Sequence, residues 1–190
     1  MSPNRTTKDP LRGRELLLGV SGSIAAYKAA ELLFLLRKRG ASVTVLMTGA
    51  AAEFIGPITL ATLSGRPVVT TLFDPACPDV EHIRMTEGAD AMLVAPTTAN
   101  TLAKLAMGLA DCPVTTAALA LKPSTPLIVA PAMNTRMWEH PATRENLRRL
   151  KSRGVRIVPP AKGLLACGSV GIGKLAALED ILDALKEALT

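Results

Sequence analysis

Two side chains of this 190-residue chain have the chemistry to move a proton, and each lies in a suggestive setting. Cys167 precedes seven residues that contain three glycines, which predicts a mobile lid over residues 162–174. A cysteine on a lid can deliver a proton or attack a substrate, whereas a buried cysteine is only a small apolar side chain. His82 follows the loop after the third predicted strand and could act as a base, with a purely structural role as the alternative. The other histidine, His140, precedes a proline in a surface turn and is predicted to be structural.

Small and polar residues follow the predicted strands where each of them ends. They are Gly22, Ser23, Thr48, residues 97–101, Met133 and Asn134. Because ligands of open α/β sheets bind beyond the carboxyl ends of the strands, these residues predict one common site. The set contains hydroxyls and amides but no carboxylate, so it suits a phosphate and a flat polar heterocycle rather than magnesium. The structural alternative makes residues 97–101 a helix N-cap, Asn134 a turn residue and Met133 a core residue.

The segment from residue 14 to residue 40 predicts a phosphate site at the first of these strand ends. An apolar run at 15–20 indicates a buried strand, a Gly-Val-Ser-Gly-Ser turn follows, and a helical apolar pattern continues to Gly40. Backbone N–H groups at the start of such a helix point at one spot and favour an anion. The Gly-x-Gly-x-x-Gly spacing of a dinucleotide site is missing, and Thr48 stands where NAD binding requires a carboxylate. A mononucleotide is therefore favoured over NAD, with an ordinary, closely packed strand–helix turn as the alternative.

Strands and helices alternate along the chain, as in a doubly wound sheet. We predict strands at 15–20, 42–47, 68–73, 91–95, 127–130 and 156–158, and helices at 25–39, 50–54, 58–64, 102–107, 114–121, 143–153 and 175–189. The fold class is therefore α/β: a single-domain, doubly wound, Rossmann-like parallel sheet with flavodoxin-like layers and helices on both faces. This domain is predicted over residues 15–190, after a flexible N-terminal arm at 1–14.

Composition argues against several classes of protein. With 48% hydrophobic residues the chain has enough bulk for a core, but no apolar run approaches the roughly 20 residues of a membrane span. The net charge of +6 lies partly in residues 1–14 and aromatic residues make up only 3%, so we expect no nucleic-acid partner. The three cysteines are far apart, which indicates neither a disulfide framework nor a zinc site. The polar N-terminus is not a signal peptide, and we expect a cytoplasmic protein without a resident metal.

Five segments of the chain together resemble a known protein family. They are Gly-Ser-Ile-Ala-Ala-Tyr-Lys (22–28), His82, Thr-Ala-Asn-Thr (98–101), Pro-Ala-Met-Asn-Thr-Arg-Met-Trp (131–138) and Ala-Cys-Gly (166–168). In these segments the chain is similar to the homo-oligomeric flavin-containing cysteine decarboxylases, and the likeness runs from about residue 15 to residue 185. The Pro-Ala-Met-Asn and Ala-Cys-Gly motifs are specific, whereas the first glycine turn is common.

The resemblance implies a role for each of these residues. The FMN phosphate would lie over Gly22, Ser23, Ile24 and Thr48, and Thr98, Ala99, Asn100, Thr101 and Met133 would surround the cofactor. Asn134 would bind the substrate carboxylate, with Ala166 and Lys174 as further substrate contacts. His82 would act as the base, and Cys167 would donate a proton from the lid. The family forms trimers, sometimes assembled further into a dodecamer, with the flavin at the subunit interface.

The implied reaction is FMN-dependent decarboxylation of the phosphorylated small molecule 4′-phosphopantothenoylcysteine to 4′-phosphopantetheine, in coenzyme A biosynthesis. Oxidation of the –CH2–SH group gives a thioaldehyde whose C=S lies β to the carboxylate, so CO2 leaves readily and the electrons are then returned. A phosphopantothenate–cysteine ligase, fused or separate, is the expected partner. Alternatives are a peptidyl-cysteine decarboxylase acting on a peptide C-terminus, a flavin prenyltransferase and a non-catalytic FMN-binding subunit. Ser169 and Lys174 replace an acidic residue and an arginine of many relatives, which leaves the substrate contacts of the lid open.

Overall fold

The computed structural model describes residues 9–73, 81–166 and 168–190, apart from the side chains of residues 81 and 82. Five parallel strands form its sheet: β1 (Glu15–Val20), β2 (Ser42–Met47), β3 (Ala91–Thr97), β4 (Leu127–Pro131) and β5 (Arg156–Ile157). Their order is β2-β1-β3-β4-β5, and all neighbouring pairs are parallel. The chain therefore reverses its direction of travel across the sheet between β1 and β3, where ligands of such sheets bind. The predicted parallel α/β sheet is confirmed.

Helices cover both faces of this sheet. A 3₁₀ turn (Ile24–Ala26) leads into α1 (Tyr27–Lys38), and the other helices are α2 (Gly49–Ala52), α3 (Pro57–Ser64), α4 (Glu81–Glu87), α5 (Ala99–Met107), α6 (Pro113–Leu119), α7 (Thr135–Glu139), α8 (Pro141–Ser152) and α9 (Leu178–Ala188). The prolines at the starts of α3, α6 and α8 occupy first-turn positions that need no N–H donor. In the described part of the chain, no helix has the length and apolar character to cross a membrane.

Two apolar cores result, one on each face of the sheet. β3 is buried along its whole length, as a central parallel strand must be. One core lies between the sheet and α1, α3 and α9, where Leu33, Leu60 and Ile181 are fully buried. The other lies beneath α5, α6 and α8, where Leu102 and Val114 are fully buried. Each such side chain stabilises the fold by about 1.5–3 kcal/mol, so the strand ends are held from both faces.

The predicted strand at 68–73 is wrong. The segment makes a single bridge between Leu46 and Val69, in which the Met47 N–H donates to the Val69 carbonyl at 2.9 Å. It runs along the outer side of β2, and Phe73 at its end is 87% exposed. The segment does not extend its ladder because a strand gains stability by burying one face, and this edge position offers little to bury against.

Residues 9–14, which the sequence assigns to a flexible arm, are anchored to the domain. Leu11 is completely buried in the first core. The Leu11 N–H donates to the Asp9 carboxylate at 3.0 Å, and the Gly13 N–H donates to the Gly40 carbonyl at 2.9 Å. The arm prediction is therefore wrong from residue 9 onward, because one apolar side chain fastens the segment. Residues 1–8 lie outside the described residues.

The segment predicted as a lid loop contains two antiparallel strands. β6 (Ala161–Leu164) pairs with β7 (Val170–Lys174), and we call residues 161–174 the hairpin. A Cβ atom at Gly171 would collide with the Thr135 hydroxyl, and one at Gly173 would collide with the Met133 carbonyl. The predicted lid segment is therefore a hairpin, in which glycine permits close approach of another backbone, and its mobility stays a prediction.

Candidate active site

A cavity of about 780 Å³ opens at the carboxyl edge of the sheet. Its walls are the turn after β1 with the start of α1, the residues after β4, the hairpin and the start of α9. Six of the predicted site residues line it: Ser23, Ile24, Met133, Asn134, Ala166 and Lys174. The structure thus brings the ends of β1 and β4 together with the hairpin, around a volume typical of cofactor and substrate pockets.

The turn after β1 is closed by its own side chains. Ser23 caps the 3₁₀ turn, and its Oγ accepts a hydrogen bond from the Ala25 N–H at 3.2 Å. Gly22 lies against α2, where an added Cβ would stand 2.6 Å from the Cβ of Ala50. Gly22 is not among the residues that line the cavity. Close packing therefore accounts for this glycine, and its contact with a phosphate stays a prediction.

Thr48 and Thr98 occupy the N-caps of α2 and α5. The Thr48 Oγ1 accepts from the Ala51 N–H and the Thr98 Oγ1 accepts from the Thr101 N–H, both at 3.2 Å. Thr98 also donates to the Thr101 hydroxyl at 3.1 Å. Neither of the two caps, nor any of residues 99–101, lines the cavity of the single chain. The capping alternative given for residues 97–101 thus agrees with the geometry of Thr98, and Thr48 caps α2 in the same way. The contact of these residues with a flavin stays a prediction.

Ser21, which the sequence pattern does not single out, ties two strand ends together. It is completely buried, and its Oγ donates to the Pro96 carbonyl at 2.7 Å while accepting from the Thr98 N–H at 2.9 Å. This one hydroxyl therefore links the end of β1 to the end of β3 and the start of α5. The signal for it is a hydroxyl at the end of an apolar strand, since a buried polar group needs hydrogen-bond partners.

Met133 and Asn134 follow β4 and meet the hairpin. The Asn134 Oδ1 accepts from the Arg136 N–H at 2.9 Å and so caps α7, a helix outside the predicted ones. The Met133 N–H donates to the Gly173 carbonyl at 2.9 Å, and its side chain packs against the second core. Both residues also line the cavity. These contacts agree with the structural interpretation of the pair, and its contact with a flavin or a substrate stays a prediction.

Amino groups and carboxylates share the cavity wall. The Lys28 Nζ pairs with the Glu31 carboxylate at 2.9 Å and lies 5.7 Å from the centre of the Tyr27 ring. The hydrogen bond that Lys28 donates to the Glu31 carboxylate raises the pKa of Lys28, which therefore stays cationic. Lys162 and Lys174 add two more amino groups and Glu179 adds a second carboxylate, so three cations face two carboxylates and the wall is slightly positive. The i, i+3 spacing of Lys28 and Glu31 beside the predicted phosphate turn is the signal that could have identified this wall.

The two proton-transfer candidates lie outside what the structure describes. The backbone of His82 belongs to α4, but its side chain is outside the described atoms, and Cys167 is outside the described residues altogether. Beside it along the chain, Ala166 lines the cavity, and Gly168 has a φ of +82° with its N–H donating to the Leu165 carbonyl at 2.9 Å. The roles of His82 and Cys167 stay predictions.

The remaining predicted features of the site concern metals and the second histidine. In the ranges that the structure describes, no three His, Cys, Asp or Glu side chains are grouped to hold a metal ion. His140 caps α8, since its Nδ1 accepts from the Ala142 N–H at 3.2 Å. The structural role predicted for His140 therefore agrees with its contacts.

The sequence and the fold match a family of flavin-binding proteins. The family model described as "Flavoprotein" matches residues 4–190, and the chain belongs to this family. It is similar to a probable phosphopantothenoylcysteine decarboxylase of Streptococcus mutans, with 49% identity over 93% of this chain and 99% of the relative. It is also 47% identical to the coenzyme A biosynthesis bifunctional protein CoaBC of Vibrio vulnificus, but it spans only 41% of that protein's length.

Two solved structures of decarboxylases share the architecture of this chain. A PPC decarboxylase mutant complexed with pantothenoylaminoethenethiol has a TM-score of 0.83 and 33% identity, covering 93% of this chain and 98% of the other. The FMN-dependent cysteine decarboxylase SpaF has a TM-score of 0.82 and 32% identity, covering 95% of this chain and 99% of the other. The predicted resemblance to flavin-containing cysteine decarboxylases is confirmed.

Proposed function

We propose that this chain is an FMN-dependent decarboxylase that converts 4′-phosphopantothenoylcysteine to 4′-phosphopantetheine in coenzyme A biosynthesis. The observation that carries the proposal is the shared lining of one cavity by Asn134, by Ala166 of the Ala-Cys-Gly motif and by three lysines. The near-complete match to the Streptococcus mutans relative supports the same activity, since almost no part of that protein lacks a counterpart here.

The described residues fit FMN. The cavity combines lysine amino groups, which suit a phosphate, with the apolar side chains of Ile24 and Met133, which suit a flat ring. Ser23 and Ile24 would hold the phosphate end, and Met133 would border the ring. Bound FMN supplies a reversible two-electron acceptor that turns the substrate's thiol carbon into a thiocarbonyl, from which CO2 can leave.

The residues of this chain would bind and orient the substrate and transfer the protons of the reaction. The amide of Asn134, fixed by its cap on α7, would donate to the substrate carboxylate and hold it in place. His82 would take the proton released when the thiol is oxidised. Cys167 would return a proton to the substrate carbon after CO2 has left. The hairpin would keep water from the reaction while it covers the cavity.

The three lysines favour a phosphorylated small molecule over a peptide. Lys162 and Lys174, with Lys28 beside them in its pair with Glu31, would stabilise a doubly charged phosphate, whereas a peptide ending in cysteine brings only one carboxylate. The test is to incubate the FMN-loaded protein with 4′-phosphopantothenoylcysteine, with its unphosphorylated form and with a cysteine-terminated peptide, and to measure CO2 and product mass.

We expect turnover mainly with the phosphorylated compound. Preferred turnover of the peptide would instead identify a peptidyl-cysteine decarboxylase. Flavin binding without turnover of any of the three would identify a non-catalytic FMN-binding subunit, and either outcome would overturn the proposal.

We also propose the assembly and setting that go with this activity. A trimer with FMN at the subunit interface would give residues 98–101, which do not line the single-chain cavity, a flavin to contact. A phosphopantothenate–cysteine ligase would supply the substrate, as the bifunctional name of the CoaBC relatives suggests. A cytoplasmic location agrees with the scattered cysteines of the sequence. Sedimentation of the FMN-loaded protein tests the trimer.

A further inference from the structure

Thr135 contains a buried hydroxyl that has no hydrogen-bond partner. Its Oγ1 is enclosed although the residue as a whole is only partly buried, and it contacts no donor or acceptor within residues 9–73, 81–166 and 168–190. Thr135 is the first residue of α7, directly after Asn134 of the proposed site. What encloses the hydroxyl is the hairpin, because Gly171 of β7 lies so close that it has no room for a Cβ.

The hairpin rests on the segment 133–135 by few contacts. The Met133 N–H donates to the Gly173 carbonyl at 2.9 Å, and Gly171 and Gly173 lie directly on this segment. Of the residues in β6 and β7, both of which are fully described, only Gly173 is buried. The two strands of the hairpin therefore lack buried apolar side chains of the kind that hold the other walls of the cavity.

A hydroxyl without a partner disfavours the state that buries it. In water the Thr135 Oγ1 would be hydrogen-bonded, so covering it with the hairpin forfeits those bonds and returns none. We propose that Thr135 is a positioning residue that weakens the docked state of the hairpin, so that the hairpin lifts readily from the cavity. A valine of the same shape would fill the space without this penalty and would hold the hairpin down.

The experiment measures hairpin docking by amide hydrogen exchange on the FMN-loaded protein without substrate. The Met133 amide reports docking directly, since its acceptor is on β7. We expect Thr135→Val to slow exchange of this amide about tenfold. This is the change in the docking equilibrium that follows from removing the free-energy cost of one unsatisfied buried hydroxyl. Thr135→Ser, which keeps the hydroxyl, should exchange like the parent protein, and the amides of β1 should not change in either variant.

Three results would overturn the proposal. Unchanged or faster exchange of the Met133 amide in Thr135→Val would show that the hydroxyl does not oppose docking. Equal slowing in Thr135→Ser would show that the hydroxyl is not the cause. Lost protection of β1 in Thr135→Val would show that the hydroxyl makes a bond the fold requires. The measurement involves no turnover. A negative result would therefore not affect the proposed decarboxylase activity, and a lack of that activity would not affect the proposal for Thr135.

Discussion

The two walls of the cavity are built in opposite ways. On one side, the turn after β1 is fixed by the fully buried Ser21 and by Gly22, which packs directly on Ala50. On the other side, the hairpin exposes Leu164 and Val170, a cross-strand pair that is 69% and 71% exposed. The comparison shows that one wall is fixed by buried contacts, whereas the strands of the other wall have almost no buried side chains, as suits the lid that we propose.

The largest effect is expected at the hairpin, from Cys167→Ser. If Cys167 returns the proton, the variant should still release CO2 but should lose nearly all formation of reduced product, because a serine hydroxyl is a far weaker acid. Separate measurements of CO2 and of product mass test this. The matched control is Cys112→Ser, since Cys112, whose thiol contacts the Thr115 hydroxyl at 3.2 Å, does not line the cavity and should leave both yields intact. Normal product formation by Cys167→Ser would remove this residue from the mechanism.

A smaller but clear effect is expected at the rigid wall, from Gly22→Ala. The new Cβ would stand 2.6–2.7 Å from the Cβ, C and O atoms of Ala50, so the turn and α2 must separate. We expect a loss of about 1–3 kcal/mol in the free energy of unfolding, together with weaker FMN binding. Urea unfolding and flavin content measure the two effects. Gly49→Ala is the control, because nothing lies within 4 Å of its added Cβ. Equal behaviour of the two variants would contradict the rigid wall.

The smallest effect is expected at the opposite edge of the sheet, at Glu15. The Arg66 guanidinium donates to this carboxylate at 2.6 and 3.1 Å, which lowers the pKa of Glu15 below its usual 4.5. A lowered pKa in the folded state means that the pair stabilises the protein above about pH 4.5 and that this contribution fades as the pH falls through the lowered value. Both side chains are more than a third exposed, so at most about 1 kcal/mol is expected.

This contribution is measured by urea unfolding between pH 7 and pH 3. Glu15→Gln should reduce the dependence of the free energy of unfolding on pH, whereas Glu53→Gln, at an exposed carboxylate, should not. An identical pH dependence in the two variants would show that the Arg66 pair has no effect on stability.

Periodicity predicts the rigid half of this molecule well and the hairpin poorly. The bounds of β1 and β2 follow directly from their apolar runs, because strands buried on both faces leave a strong pattern. β6 and β7 leave none, since their stability depends on glycines that fit against Met133 and Thr135 rather than on apolar side chains. The same limit hid Ser21, whose role depends on the carbonyl of a residue 75 positions away.

The sequence likewise predicts some features of the candidate site and misses others. Their positions at strand ends predicted that Ser23, Met133 and Asn134 lie close together, because parallel strands end at one edge of a sheet. All three residues do line one cavity. The capping alternative foresaw the N-cap at Thr98, but nothing in the sequence pattern revealed that the Thr48 hydroxyl caps α2, which depends on local backbone geometry. Lys28 and Glu31 were missed as a wall because their ion pair forms only once α1 places them beside the turn.

The central claim is that a flavin in this cavity takes electrons from a thiol-bearing substrate and returns them after the carboxylate has left. Anaerobic stopped-flow mixing of the FMN-loaded protein with 4′-phosphopantothenoylcysteine tests it most directly. We expect the yellow flavin absorbance to bleach, to recover as 4′-phosphopantetheine forms, and one CO2 to be released per product. Flavin absorbance that stays constant while no CO2 appears would contradict it.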